Sequence, residues 1–395
     1  PGGIVVLPVG EEINTFTPVQ HPADDITSDV ITTHFDYHKI EQNLLKLDIL
    51  GHLDPTVIRM LEDLTGLHAT DIPLDDRTVM TIFQNVDALE LKEPLFNDLK
   101  MGTLGIPEFG TDFAMQMLID AKPTEFSDLI RISGLSHGTD VWLGNAKDLI
   151  LSGQATISTA ICCRDDIMVY LIIKGLDSEE SFTIMERVRK GVVAKGKCKE
   201  WPQYVEDMKK HGVPDWYIES CKKIKYMFPK AHAAAYVMMA WRVAYCKVYY
   251  PLAYYAAYFT VRTTAFDYET MCQGKDALRA RLQDIYNKID AEKKKDKSIP
   301  WASNKEKEMF SDGRSVDEMY CRGYDFLKID LYKSDARHFQ IVDGKLLPPF
   351  NSIEGMGDTA AESLQIAAAQ RPFLSKTDLR ERGKVPKTVV ETMER

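Results

Sequence analysis

Lys222 to Tyr236 reads KKIKYMFPKAHAAAY, and the chain then runs on as VMMAWRVAYCKVYYPLAYYAAYF. Four lysines and a histidine adjoin three consecutive alanines at 233 to 235. An alanine face lets a large group approach the backbone, and Lys230 with His232 offers cationic donors to an anion. The plain alternative is a solvated basic lead-in to a buried helix. Pro229 interrupts the helix expected from VPDWYIESCKKIKYMF, and Pro251 interrupts the one that follows.

Working outward, 395 residues exceed one core and suggest two or three domains. Of the chain 45% is hydrophobic and 27% charged, an ordinary balance for a soluble protein. Seven cysteines include the neighbours Cys162 and Cys163 but no C-x-x-C pair. That argues against a disulfide framework and for a reducing, cytoplasmic setting. The apolar run from Ala233 to Val261 is broken by Arg242, Lys247 and Pro251, so no membrane span is expected. The opening PGGIVVLPVG lacks an initiator Met and a signal-peptide pattern, and reads as a piece of a longer protein cut inside a domain. Net charge is −10, yet Glu186 to Lys247 holds fourteen Lys/Arg against six Asp/Glu. This local +8 is a basic stripe of the kind that meets nucleic acid, although solvated helix faces produce the same count.

Three strand-like runs (GGIVVLP, VITTHFDYH, NLLKLDIL) precede LDPTVIRMLEDLTG, a helix with Asp54 as N-cap and Pro55 at its first position. From about 70 to 262 apolar residues recur near every 3.6 positions, predicting helices. Residues 290–315 are charged and poor in apolar side chains, and read as a linker or exposed insertion. Beyond them, CRGYDFLKIDLYKS and FQIVDGKLLPPF read as strands, and IEGMGDTAAESLQIAAAQ as a turn and helix.

GVVAKGKC (Gly191 to Cys198) fits a phosphate loop only superficially: Cys198 stands where Ser/Thr would hold magnesium, and a helix precedes it. GIPEFGT has the glycines without the lysine. Asp48, in LLKLDILGH, is a lone carboxylate in an apolar strand, which places it at an exposed edge or on a cation. IRISGLSHGTDVWLGNA, with Ser133 and His137, reads either as a tight interhelical turn or as a polar loop against a nucleotide. Arg164 opens a helix beside Asp165 and Asp166, and either clamps a phosphate or pairs with those acids. Gly355 and Gly357 shape a turn whose amides suit a backbone phosphate, with an ordinary capped helix as the alternative. Zinc on some of Cys162, Cys163, Cys198 and Cys221 is a further expectation, weakened by their irregular spacing.

Together, LLKLDILGHLDPTVIRML, GTLGIPEFGTDF, ISGLSHGTDVWLGNA, CRDDIMVYLI, SCKKIKYMFPKAHAAAY and LRERGK resemble, in order, the C-terminal half of the C-family replicative DNA polymerases of the PolC type. The match departs from the family pattern around 191–205 and 290–315. The resemblance implies an α+β, predominantly helical chain: the end of a mixed-sheet palm (1–70), a large helical fingers domain (71–262), and a duplex-binding region (263–395) with a helix-hairpin-helix motif near 350–368. It implies that Asp48 is catalytic and the third of three palm aspartates on two magnesium ions, the other two lying upstream. By the same resemblance Ser133, His137, Arg164, Tyr226, Phe228, Lys230 and His232 bind the incoming dNTP. Primer–template DNA would meet Lys222, Lys223, Lys225, Gly355 and Gly357. A sliding clamp and clamp-loader subunits are the other implied partners. Two readings of other classes stay open: a DNA-binding module without catalysis, and a helical scaffold that contacts only proteins.

Overall fold

The computed structural model describes residues 3–394, and the chain forms two compact units, Pro1–Leu53 and Asp54–Arg395. In the first, Gly3–Val6 pairs antiparallel with Leu45–Asp48, Gly3 opposite Asp48 and Val6 opposite Leu45. The run VITTHFDYH, expected as a strand, pairs only at Thr32–Thr33, against Val19–Gln20. Asp36 ends it, because its carboxylate accepts from the amide of His38 at 2.9 Å and closes a turn at Tyr37–Lys39.

The second unit is almost wholly helical. Its helix starts are written in the sequence: Asp76, Thr111 and Asp177 each accept from amides of the first turn, and Ser303 with Glu306 forms a reciprocal cap. Helix Lys230–Tyr249 lies at the centre, packed against Asp54–Thr65, Arg77–Ile82, Phe126–His137 and Pro251–Val261. Trp241 anchors it. The indole stacks on Phe83 at 5.8 Å, meets Phe126 edge-on, and donates to the carbonyl of Pro73 at 2.7 Å. A fully buried Trp so engaged is worth about 3–5 kcal/mol against Ala. Of the three alanines at 233–235 only Ala233 is buried, so close approach is confined to that position.

Lys247, on the same helix, is fully buried and paired with Glu318 at 2.8 Å. Its ammonium also donates to the carbonyls of Gly102 and Leu104, while Tyr255 donates to Glu318 at 2.6 Å. Burial pushes Lys247 down to about 8, against the pull of Glu318.

The structure corrects two expectations. The charged stretch 290–315 is no linker: it ends helix Lys275–Lys294, turns, and enters helix Asn304–Cys321, and the two helices pack together. Its charges are solvated faces, and Asp312 and Ser315 are buried on the other side. CRGYDFLKIDLYKS forms no strand beyond an isolated bridge of Phe326 to Leu346; its first residue ends the preceding helix. The strand Gln340–Val342 does form, and turns at Asp343-Gly344, both with positive φ, into Lys345–Leu347.

Three short helices, Asp358–Gln370, Lys376–Gly383 and Lys387–Met393, close the chain over a separate small core of Phe350, Ile353, Met356, Leu364 and Val389. Among the described residues no helix is long and apolar enough to cross a membrane.

Candidate functional site

The segment Ile224 to Phe228 is fixed on both sides. The amide of Lys225 donates to Thr139 at 3.0 Å and Thr139 returns a bond to Tyr226 at 2.9 Å; Met227 donates to the carbonyl of Arg189. Gly191 is required here, since a Cβ would lie 2.5 Å from the carbonyl oxygen of Lys225. That explains one glycine of the false phosphate loop: it makes room for the neighbouring segment at Lys225.

Two helix starts then meet. The amide of Arg164 donates to the carbonyl of Phe228 at 3.1 Å, and the amide of Lys230 donates to the Asp165 carboxylate at 2.8 Å. Asp166 caps its own helix by accepting from Cys163 at 2.8 Å and Cys162 at 3.1 Å. Lys230 Nζ is 3.9 Å from Asp166, and Arg164 Nε is 4.0 Å from Asp165. These are long, solvated pairs worth at most about 1 kcal/mol each, so a stronger anion displaces them readily. The positive ends of both helices add to the two side-chain charges.

Aromatic rings line the approach. His137 faces Phe228 at 4.8 Å, Phe228 meets the edge of His232 at 4.9 Å, and His232 stacks on Tyr236 at 4.5 Å. His137 is hydrogen-bonded to the Glu108 carboxylate, and Ser133, buried on the same helix, donates to Glu108 at 3.5 Å. The bond to Glu108 raises the His137 pKa, against the effect of burial. Beside this pair opens a cavity of about 380 Å³, lined also by Arg262, Arg314 and Ser315.

Ser133, His137, Arg164, Phe228, Lys230 and His232, together with the backbone of Tyr226, therefore meet around one joint. Ser133 and His137 reach it differently from the expected turn. Ile130 to His137 continues helix Phe126–His137, because Gly134 lets that helix press on Cys163, whose Sγ would lie 2.4 Å from an added Cβ. The basic lead-in is spread among local partners: Lys222 pairs with Glu219 at 2.7 Å, Lys223 donates to the carbonyl of Gly144, and Lys225 pairs with Asp140 at 2.7 Å. Gly355 and Gly357 lie exposed in the turn before helix Asp358–Gln370, beside the separate C-terminal core, Gly355 with φ +82° and Gly357 with open space where a Cβ would stand.

Asp48 belongs to the first unit, at the end of its strand, largely exposed and 3.4 Å from Lys46. Among the described residues no three His, Cys, Asp or Glu side chains converge as a metal site, and Asp48 offers a single carboxylate. The same holds for zinc. Cys162, Cys163 and Cys221 are buried free thiols, and burial pushes Cys163 up to about 12. Sequence reasoning missed Glu108. Its signal was an acid inside GIPEFGT, set aside with the loop that carries it.

Three family models cover most of the chain: the bacterial DNA polymerase III alpha subunit finger domain at 54–212, a helix-hairpin-helix motif at 323–395, and the bacterial DNA polymerase III alpha NTPase domain at 1–51. Relatives called DNA polymerase III PolC-type match the whole chain. They share 55% identity over 394 residues in Oceanobacillus iheyensis, 55% over 396 in Bacillus subtilis and 53% over 394 in Streptococcus sanguinis. The chain spans about a quarter (26%) of the length of each of these three. The NTPase-domain, finger-domain and helix-hairpin-helix matches follow one another along the chain, the relatives match it from end to end, and the chain belongs to the PolC-type DNA polymerase III family.

Proposed function

We propose that this chain is the nucleotide-receiving and duplex-binding part of a DNA-templated replicative DNA polymerase, a cytoplasmic enzyme. It would comprise the end of the palm (1–70), the fingers (71–262) and a duplex-binding region (263–395). The observation that carries the reading is the meeting of Arg164 and Lys230 at two helix starts, with His137, the last residue of a third helix, facing Phe228 beside them in a ladder of rings. A triphosphate supplies charge for three such donors, and the rings of Tyr226, Phe228 and His232 supply faces for a base pair.

In the reaction so read, the primer 3′ hydroxyl attacks the α-phosphorus of the dNTP and pyrophosphate leaves. Arg164, Lys230 and His137 hold the phosphates and neutralise charge on them, exchanging Asp165, Asp166 and solvent for phosphate oxygens. Phe228 and Tyr226 orient the nascent base pair. Divalent metal, read as magnesium, would stabilise the attacking and leaving oxygens when bound. From this chain Asp48 would contribute one carboxylate to it, with the others supplied by residues outside Pro1–Arg395. Gly355, Gly357 and the lysines at 222, 223 and 225 would meet primer–template DNA. The sliding clamp and clamp loader are further partners of the whole enzyme.

The test is a dNTP titration of the full-length enzyme with primer–template bound. Wild type should bind, and Arg164→Ala with Lys230→Ala should lose most of that binding. Equal binding by both would remove this joint from the nucleotide site.

A single exposed carboxylate also favours a narrower reading, in which the chain alone grips DNA without catalysing extension. Primer extension assayed on the chain by itself separates the two.

A further inference from the structure

Glu108 takes a left-handed backbone, φ +68°, which a non-glycine residue adopts at a cost of about 1 kcal/mol or more. The loop around it leaves little choice. Gly105 has φ +72° under the Tyr254 hydroxyl, and Gly110 packs on the carbonyls of Thr103 and Ile106. From this backbone the carboxylate faces inward, where its side chain is only 15% exposed and bonds both His137 and Ser133. A half-buried carboxylate bonded to an imidazole favours the charged form of that imidazole.

We infer that Glu108 is a positioning residue: it orients His137 against Phe228 and serves as the countercharge of an imidazolium that completes the cationic set at the joint. This rests on the nucleotide reading above and adds a residue and a protonation state to it. Groups facing His137 from other elements are few. Arg262 and Arg314 share the cavity wall and oppose its protonation, but each is already paired, with Asp54 at 3.1 Å and Asp112 at 2.8 Å. Phe228 and, behind it, His232 present rings; on the helix of His137 itself, Ser133 donates to Glu108 and Ser136 to the carbonyl of Ser133. Glu108 is thus the acid that decides the matter, and the bond to it holds the His137 pKa above the ordinary value. His137 keeps its proton below that raised pKa and releases it above.

The experiment measures dNTP affinity of the full-length enzyme on primer–template between pH 6 and 9. Variants are Glu108→Gln, Glu108→Ala, His137→Gln and, as benchmark, Lys230→Ala. Glu108→Gln keeps a hydrogen-bonding side chain and removes the charge. It should match wild type near pH 6 and lose binding at lower pH than wild type does as pH rises, because the neighbouring charge that favours the imidazolium is gone. Glu108→Ala should weaken binding several-fold at every pH, because the ring is no longer oriented. In a His137→Gln background Glu108→Gln should be silent. A Glu108→Gln profile that overlies wild type, or one lowered equally at all pH values, overturns the inference provided Lys230→Ala weakens binding. If Lys230→Ala also leaves binding unchanged, it is the nucleotide reading that falls.

Discussion

The amide of Lys230 donates to the carboxylate of Asp165, 65 residues earlier, at 2.8 Å, so one acid seats the start of the long central helix against the start of another. Asp165 has two opposed effects. It positions Lys230, and its charge competes with any anion for Arg164, 4.0 Å away. Asp165→Asn keeps an acceptor and removes the competitor, so dNTP affinity should hold or rise. Asp165→Ala removes the seat and should lower it several-fold. Nucleotide titration of the two variants checks this; equal losses would mean that the carboxylate charge itself is used.

Glu318 and Lys247 tie the central helix to Asn304–Cys321 in the core. Glu318→Gln leaves a buried ammonium without its countercharge and should destabilise the fold by about 3–5 kcal/mol at pH 7. The folded chain binds the Lys247 proton less tightly (about 8) than an ordinary lysine does (10.5). Between those values the unfolded chain holds more protons, so this group's contribution to stability rises with pH there. The deficit of Glu318→Gln should accordingly be largest below pH 8 and narrow above it. Urea melts of both proteins at pH 7 and pH 9.5 measure it.

Gly357 precedes helix Asp358–Gln370 with open space where a side chain would project. Gly357→Val should therefore leave the fold stable while blocking a phosphate. Primer–template binding should weaken evenly across sequences, with a shallower salt dependence. Gly355→Val should also lose stability, because φ +82° strains a β-branched residue. A sequence-selective loss in Gly357→Val would contradict a backbone contact.

Asp48 pairs with Lys46 across exposed surface, a weak local bond. Asp48→Asn in the full-length enzyme should abolish primer extension and leave duplex affinity nearly unchanged. Extension retained within tenfold would remove Asp48 from the metal site.

Much of this was legible in the chain. The proline at 229 and the acids at 165 and 166 mark two helix starts, and the aromatic, basic and small residues between 222 and 236 mark the joint between them. What stayed hidden depends on long-range contact. Residues 290–315 look like a linker because a helix hairpin that buries one narrow face shows mostly charge. Ser133 and His137 look like loop residues because Gly134 suggests a turn, whereas it serves close packing on Cys163. Glu108 is invisible to periodicity, since its role comes from a positive φ and from a histidine 29 residues on.

Lys230 is the residue on which the account turns, being exposed, at a helix start and held only loosely by Asp166. Charge-assisted bonds to phosphate contribute roughly 1.5–3 kcal/mol each. Steady-state incorporation by full-length Lys230→Ala, run beside a primer–template titration, measures its task directly. The apparent dNTP KM should rise, the incorporation rate fall, or both, by on the order of tenfold to a hundredfold, with DNA affinity little changed. A collapse of DNA affinity with unaltered dNTP dependence would contradict it, and would assign this joint to the duplex.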